Sequence, residues 1–264
     1  MPGFFGTEMQ VRLQKRSDER AEWARSTPGA YNGARMLASD DIDRLGWDTI
    51  LEILDEDGVF GFRMLPASRV PAVSEKLAEH GYRIDFWETF MADKSIALDK
   101  VGDILARDVP ADLTQLDMAL PSDSTTVRQV QRFMLENGIA PFSGSMLVGE
   151  IAPAVTIALA DAGGSIVATA HGYLPHNRYS AYHDAAWGGL VAVAESQRGR
   201  KLGTYVNAMM IRAAFERLAA KRIYELASAT NIPSRRMIES CGLTLVPTLK
   251  AAAVVASGAE KFTR

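Results

Sequence analysis

Val191-Ala-Val-Ala-Glu-Ser-Gln-Arg-Gly-Arg-Lys-Leu-Gly-Thr204 joins an apolar, strand-like run to a long amphipathic pattern through a turn holding glycine and three cations. A strand, a tight turn and a helix in that order make an anion cradle. The first N–H groups of a helix have no intrahelical acceptor and sit at its positive dipole end, so they can take phosphate oxygens directly. Gly199 and Gly203 would let a ligand approach the backbone closely. Arg198, Arg200 and Lys201 crowd a helix end where the dipole favours negative side chains by about 0.3–1 kcal/mol per charge. That conflict points to a bound anion, with a run of solvated side chains as the alternative. Common nucleotide loops do not fit, because the segment has neither a Gly-Lys-Ser/Thr ending nor a G-x-G-x-x-G spacing.

Downstream, Val206, Met210, Ala214 and Leu218 form one i+4 row, which predicts a helix over 204–220. A strand at Ile223–Ala227 follows, then a short helix at Pro233–Cys241 with proline near its start and Gly242 past its end. Two closing strands are expected at Leu243–Leu249 and Ala251–Ala256. Upstream, the pattern predicts a helix over 124–137, a hairpin of Ala154–Ala160 and Ser165–Leu174 around Asp161-Ala-Gly-Gly164, and a strand at Trp187–Val193. Near the beginning, Gln14–Arg25 is polar and charge-rich. Ser39-Asp40-Asp41-Ile42-Asp43 has helix-start chemistry ahead of Trp47–Leu54. Strands at Gly58–Leu65 and Tyr82–Met91 flank a helix at Pro71–His80 that stops at Gly81. Patterning breaks at Ala106–Asp112, so two domains are expected, 1–105 and 106–264. No repeat of period 20–50 is evident.

Across 264 residues, 47% are apolar and 23% charged, ordinary globular usage that excludes a mainly disordered chain. Apolar runs fall far short of the roughly 20 residues of a membrane helix, and the first residues show no secretory pattern. A single cysteine, Cys241, excludes an internal disulfide. The expected setting is therefore reducing and cytoplasmic, with no membrane. Net charge is −6 over residues 1–105 and +3 over 106–264, giving −3 overall. This argues against nucleic acid as a partner and suits a small polyanionic ligand on the second segment.

Together these residues resemble the GNAT superfamily of N-acetyltransferases. Its cofactor motif, (Q/R)-x-x-G-x-(G/A) after a strand, corresponds to Arg198-Gly-Arg-Lys-Leu-Gly203 after Leu190-Val-Ala-Val193, with Lys201 at the motif's first glycine. A second family element, an Asn followed by a small residue and then Gly and an apolar residue, corresponds to Asn231, Ser234, Gly242 and Leu243. The resemblance covers about residues 110–256. Glu75-Lys-Leu-Ala-Glu-His-Gly-Tyr82 is faintly similar to the same closing helix and strand, which suggests a degenerate GNAT-like first half. The implied fold is α/β (α+β): a central mixed, mostly antiparallel sheet flanked by helices, with a smaller mixed α/β N-terminal domain. The implied cofactor is acetyl-coenzyme A. Backbone of Val191, Ala192 and Val193 would pair with its pantetheine arm. N–H groups of Arg198, Gly199, Arg200, Lys201, Leu202, Gly203 and Thr204 would hold its pyrophosphate. Asn231 would lie near the thioester, although helix capping is an equal reading of it.

Acetyl transfer to an amine needs a base, a donor to the thioester carbonyl and an acid for the departing thiolate. The family often supplies that acid as a tyrosine seven positions after the Asn; here the position is Ile238. His183 and Asp184, before the central strand, are candidate bases, with a polar strand end facing solvent as the alternative. Glu195 is expected to pair with Arg198 or Arg200, Cys241 to be a small buried hydrophobe, and Tyr205 and Met209 to be packing residues. Asn137–Glu150, including Phe142-Ser-Gly-Ser-Met146, is a candidate acceptor wall or an ordinary surface loop. The acidic first segment, with Asp55, Glu56 and Asp57, is expected to cover the cleft and attract a cationic amine. The expected function is an acetyl-CoA-dependent N-acetyltransferase acting on a primary amine of a small molecule or protein. The alternative is a catalytically inactive coenzyme A-binding sensor or interaction module, and a homodimer is compatible with either.

Overall fold

The computed structural model describes residues 3–106 and 110–258. Thr7 opens helix α1 (Glu8–Glu19) with a reciprocal cap: its hydroxyl accepts from the Gln10 N–H at 3.3 Å while the Gln10 side chain accepts from the Thr7 N–H at 3.0 Å. Then come α2 (Ala21–Ser26), β1 (Ala30–Asn32) and β2 (Leu37–Ser39). Asp41 caps a single turn, α3 (Ile42–Leu45), and α4 (Trp47–Asp57) buries Ile50, Ile53 and Leu54 before Gly58 ends it at φ 72°. The first segment closes with β3 (Val59–Pro66), α5 (Val70–Glu79), β4 (Tyr82–Asp93) and α6 (Lys94–Leu105). The expected boundary falls in part on residues 107–109, outside the described residues.

The second segment starts with β5 (Leu113–Gln115), α7 (Thr125–Glu136) and α8 (Gly144–Leu147). β6 (Ala154–Asp161) and β7 (Ile166–Tyr173) form the expected hairpin, whose turn is fixed by the Asp161 carboxylate accepting from Gly163 and Ser165 N–H at 3.0 and 2.9 Å. After it run β8 (Ala185–Val193), α9 (Leu202–Arg217), β9 (Arg222–Ala227), α10 (Ile232–Ser240) and β10 (Thr244–Ala256). The two closing strands expected from the sequence are one. Between Leu245 and Lys250 its pairing with β4 slips, from Leu245↔Phe90 to Lys250↔Glu88, so four residues of β10 stand opposite one of β4. Pro247, which has no N–H to give a ladder, sits in that slip.

Among the described residues, ten strands form one sheet in the order β1-β2-β3-β10-β4-β9-β8-β7-β6-β5. All neighbours are antiparallel except two pairs, β2–β3 and β8–β9. The expected mixed, mostly antiparallel sheet flanked by helices is therefore present. Two runs share one order of elements: β2, α3–α4, β3, α5, β4 and β8, α9, β9, α10, β10. Each run ends by giving its last strand to the other. β10 lies against β3, β4 lies against β9, and the two donated strands pair with each other.

One face of the β5–β9 side carries α6 and α9, with Val206, Met210, Ile211 and Phe215 buried. The opposite face carries α7 and α8, with Val127, Met134 and Met146 buried. A buried polar chain crosses between the segments. The His176 ring takes Asp40 at 2.6 Å on Nδ1 and the Tyr224 hydroxyl at 3.1 Å on Nε2, and that hydroxyl lies 3.1 Å from the Tyr31 hydroxyl.

His171 on β7 is fully buried. The Thr156 hydroxyl donates to Leu147 O at 2.6 Å, so Nδ1–H of His171 donates to Thr156 Oγ1 at 2.8 Å and the ring is neutral. Burial pushes its pKa down to about 3. The unfolded chain therefore binds a proton at this site that the folded chain refuses once pH falls below the ordinary histidine value. Stability falls with it. In denaturant unfolding between pH 7 and 4.5, wild type should lose up to about 1.4 kcal/mol per pH unit relative to His171→Phe below pH 6.5; parallel curves for the two proteins would refute this.

Candidate functional site

β8 pairs with β9 in parallel from Ala185↔Arg222 to Gly188↔Glu225, and there the ladder stops although the strands continue to Val193 and Ala227. On its other side β8 stays paired with β7, through a bulge at Leu190, whose φ is 51°. Beyond Gly188, then, the edge of β8 facing β9 has no strand partner among the described residues. A cleft of about 220 Å³ opens in the gap. Leu190 and Val191 of β8, Glu225 of β9, and Ser234, Met237 and Ile238 of α10 line it. Arg35, from the loop between β1 and β2, and Gly138–Ala140, after α7, line it as well.

The turn leading out of β8 makes one 3₁₀ turn at Glu195–Gln197 and then reverses at Gly199, φ 83°. Lys201 stands at φ 62°, in the left-handed region, immediately before α9. This accounts for the departure from the motif: the family glycine stands where the backbone is left-handed, and lysine here adopts that conformation at a cost of roughly 1–2 kcal/mol. α9 begins without a side-chain cap and without an acidic residue in its first turn. A Cβ added to Gly203 would meet Val193 Cγ2 at 3.6 Å, Met237 Sδ at 3.8 Å and Val191 Cγ1 at 3.9 Å. The start of α9 therefore faces the open edge of β8 across Gly203, with room for a Cβ in ordinary contact and no more before Val191, Val193 and Met237. A second cleft, about 440 Å³, lies against the same turn between α6 and α9, where Arg200, Lys201, Thr204 and Tyr205 meet Asp103 and Ser240.

The structure brings Val191, Val193, Lys201 and Gly203 to one place; Ala192 is buried behind the edge and Leu202 beneath the helix. Two of the three cations already have partners. Arg200 makes a two-pronged pair with Asp112 at 2.7 and 2.9 Å, and Arg198 lies 3.9 Å from Glu195. Asn231 is the exposed N-cap of α10, accepting from Ser234 N–H at 3.2 Å, and does not line the 220 Å³ cleft. Ile238 does line it and supplies no proton.

The structure does not bring His183 and Asp184 to the cleft. They precede Ala185, at the paired end of β8, and the parting begins only beyond Gly188. Asp184 accepts from Arg222 Nε at 3.1 Å, which holds its carboxyl below the usual range, and the His183 ring bonds Ser180 O at 3.1 Å. Of the expected acceptor wall, Gly138–Ala140 faces the cleft, while Phe142 is buried and Ser143 caps α8. The acidic cover is a second difference. Asp55 accepts the Tyr82 hydroxyl and Asp57 pairs with Arg16 at 3.1 Å, and what the first segment presents to the cleft is the cation Arg35. Cys241 is buried with its thiol pushed up to about 12 by burial, as suits an inert hydrophobe.

Glu225, inside the strand expected at Ile223–Ala227, was not among the candidate site residues. It is 1% exposed, sits where the β8–β9 ladder ends, and accepts from the Asn207 side-chain amide of α9 at 2.8 Å. Burial raises its pKa to about 7, against the lowering effect of that hydrogen bond. The signal was in the sequence: a carboxylate inside Ile223-Tyr-Glu-Leu-Ala227 is a residue type that strand interiors rarely bury unless it is used.

Residues 130–243 match the family model described as acetyltransferase (GNAT) family. No curated protein matches the sequence. Among solved structures, a GCN5-related N-acetyltransferase from Kribbella flavida is similar over 96% of this chain and 98% of its own, with TM-score 0.56 and 14% identity. A Drosophila protein reaches TM-score 0.58 over 95% of this chain and 90% of its own at 12% identity. A tandem GNAT protein from the clavulanic acid biosynthesis pathway reaches 0.53 over 92% and 89% at 12% identity. At such identities the likeness shows the fold: the chain has the fold of GNAT structures, and residues 130–243 are the part that matches the GNAT acetyltransferase family model.

Proposed function

We propose that this protein is an acetyl-CoA-dependent N-acetyltransferase whose coenzyme lies along the parted edge of β8, with its pyrophosphate at the start of α9. One observation carries the reading: an uncapped helix N-terminus faces an unpaired strand edge across Gly203, in a gap that a Cβ would narrow. The β9-facing edge of Gly189–Val193 suits an amide-bearing arm, which would pair with it as a strand would. Lys201 adds a cation at the anion's end, while Arg200 stiffens the turn through Asp112. The coenzyme, when bound, supplies an activated acyl thioester.

Glu225 is the base in this reading. As a carboxylate it accepts a proton from the acceptor ammonium, and its pKa near 7 leaves it substantially ionised at neutral pH and basic enough for the task. Asn207 orients the carboxyl by holding one oxygen from α9. Ile238, Met237 and Val191 make the surrounding walls apolar, which excludes water from the reacting amine. Thiolate departure has no side-chain acid at position 238.

Coenzyme A binding is tested without turnover. A ligand that binds only the folded state stabilises it by about 2.7 kcal/mol at a hundredfold excess over Kd. Thermal unfolding of wild type should shift upward with coenzyme A and not with unrelated nucleotides; Gly203→Val should abolish the shift while Gly203→Ala keeps most of it. An undiminished shift in Gly203→Val would remove the cradle from consideration.

A second measurement concerns the base. With a productive amine, kcat/KM should rise as pH increases through about 7 and then level, because Glu225 must lose its proton to act. Glu225→Gln should lower kcat/KM by about 10²–10⁴-fold and flatten that limb. If the mutant keeps the wild-type limb, the base lies elsewhere; coenzyme binding with no thiol release for any amine would favour a sensor module instead.

A further inference from the structure

Of the side chains lining the 220 Å³ cleft, two are ionisable, and they are of opposite charge: Glu225 and Arg35. Glu225 comes up from β9, and Arg35 is delivered by the first segment. Arg35 is held in place, since it donates to Ala140 O at 2.7 Å and its guanidinium lies 5.3 Å from the centre of the Phe142 ring. Its backbone is fixed too. Ala34 N–H is accepted by the Asn32 side chain at 2.8 Å, and the loop turns through Ala34 at φ 61°.

We propose that the acceptor is a zwitterion of amino-acid size, with its carboxylate held by Arg35 and its amino group turned to Glu225. This rests on the acetyl-transfer reading above. A cation at the cleft wall repels a simple alkylammonium and favours a molecule that brings an anion with it. Burial, with the neighbouring cation Arg63 adding to it, brings the Arg35 pKa down to about 10, and Arg63 Nε has no hydrogen-bond partner among the described residues. A planar guanidinium is matched to a carboxylate in geometry as well as charge. An amine without a carboxylate would leave Arg35 facing an apolar tail, the kind of mismatch by which polar sites reject analogues.

The test uses the full chain saturated with coenzyme A, titrated calorimetrically with each of the twenty common amino acids and with the amine that remains when its carboxylate is removed. At least one amino acid should bind about 30-fold or more tighter than its decarboxylated partner, and Arg35→Gln should collapse that preference. Arg35→Lys should restore part of it, which a purely structural role would not. Failure of every amino acid to bind, an equal or better affinity for the amines, or equal weakening of both classes in Arg35→Gln would overturn the proposal. Thiol release from acetyl-coenzyme A, followed in parallel, separates the two readings. Release with amines but not amino acids would keep acetyl transfer and discard the zwitterion, whereas tight amino-acid binding without release would do the reverse.

Discussion

The parting of β8 from β9 after Gly188↔Glu225 is the constraint on which the site depends. Parallel strands paired along their length would leave no edge for a ligand and no way through the sheet. The ladder ends because β8 changes course. Its bulge at Leu190 places an extra residue opposite β7, and a bulged strand bends while its local twist increases. Glycines at 188 and 189 make that bend possible for a packing reason. A Cβ on Gly188 would come 2.5 Å from Met210 Cε, and one on Gly189 would come 2.5 Å from the Trp187 ring. The helix underneath and the tryptophan alongside occupy what side chains would otherwise fill. Geometry for binding and geometry for packing are thus set by the same three consecutive residues.

The two runs of like topology have opposite chemistry at the corresponding turn. After β8 the chain presents cations and leaves α9 uncapped. After β2 it presents Asp40, Asp41 and Asp43. Asp41 accepts from Arg44 N–H at 3.2 Å and so closes the start of α3 with the protein's own carboxylate, and Asp43 pairs with Arg69 at 2.7 and 2.8 Å. Asp40 takes His176 from the second segment, and Arg44 donates to Tyr179 O at 3.1 Å, so the loop ahead of β8 docks on the first turn. The helix-start chemistry visible in the sequence around Asp41 is therefore real, and it excludes an anion there. One turn leaves its helix uncapped while its counterpart is capped by the protein's own carboxylate. The exchange of β4 and β10 joins the two runs, and Arg235 of α10 pairs with Glu88 of β4 across the junction. A change of position in one run reaches the other through shared strands.

Most regular elements were legible where local chemistry and pattern agreed. The hairpin turn at Asp161, the proline-to-glycine span of α10 and the i+4 row of α9 each carry their own signal, and each formed. The early helices were missed because their pattern is polar: α1 buries Leu13 with Gln14 and Ser17, so periodicity in apolar residues is weak. Its cap, Thr7 with Gln10 three positions on, was the readable sign. Strand exchange has no local signature, since β4 and β10 look alike as strands whichever partner they choose. For the candidate site, the uncapped turn from β8 into α9 was legible because it is a contiguous segment. The rest of the cleft was not, because Arg35, Ala140 and Glu225 come to it only through tertiary structure, and the acidic balance of the first segment concealed a cation at the cleft wall.

That last point explains why a net charge misleads at a cleft. Carboxylates of the first segment are numerous but committed: Asp57 to Arg16, Asp43 to Arg69, Asp40 to His176. Paired charges project little field, and exposed ones are screened within about 8–10 Å at ordinary ionic strength. Arg35 and Glu225 lie where water is sparse, and each unit of charge there acts with a smaller effective dielectric constant. The local field in the cleft is therefore dominated by such nearby buried groups rather than by the sum over the segment. Glu225 near neutrality can change sign of influence with one proton, whereas Arg35, even held down to about 10, stays charged throughout the working range. In the proposed reading, a fixed cation holds the guest and a titrating carboxyl works on it, so the two tasks fall to two residues from two segments, which the exchanged strands join.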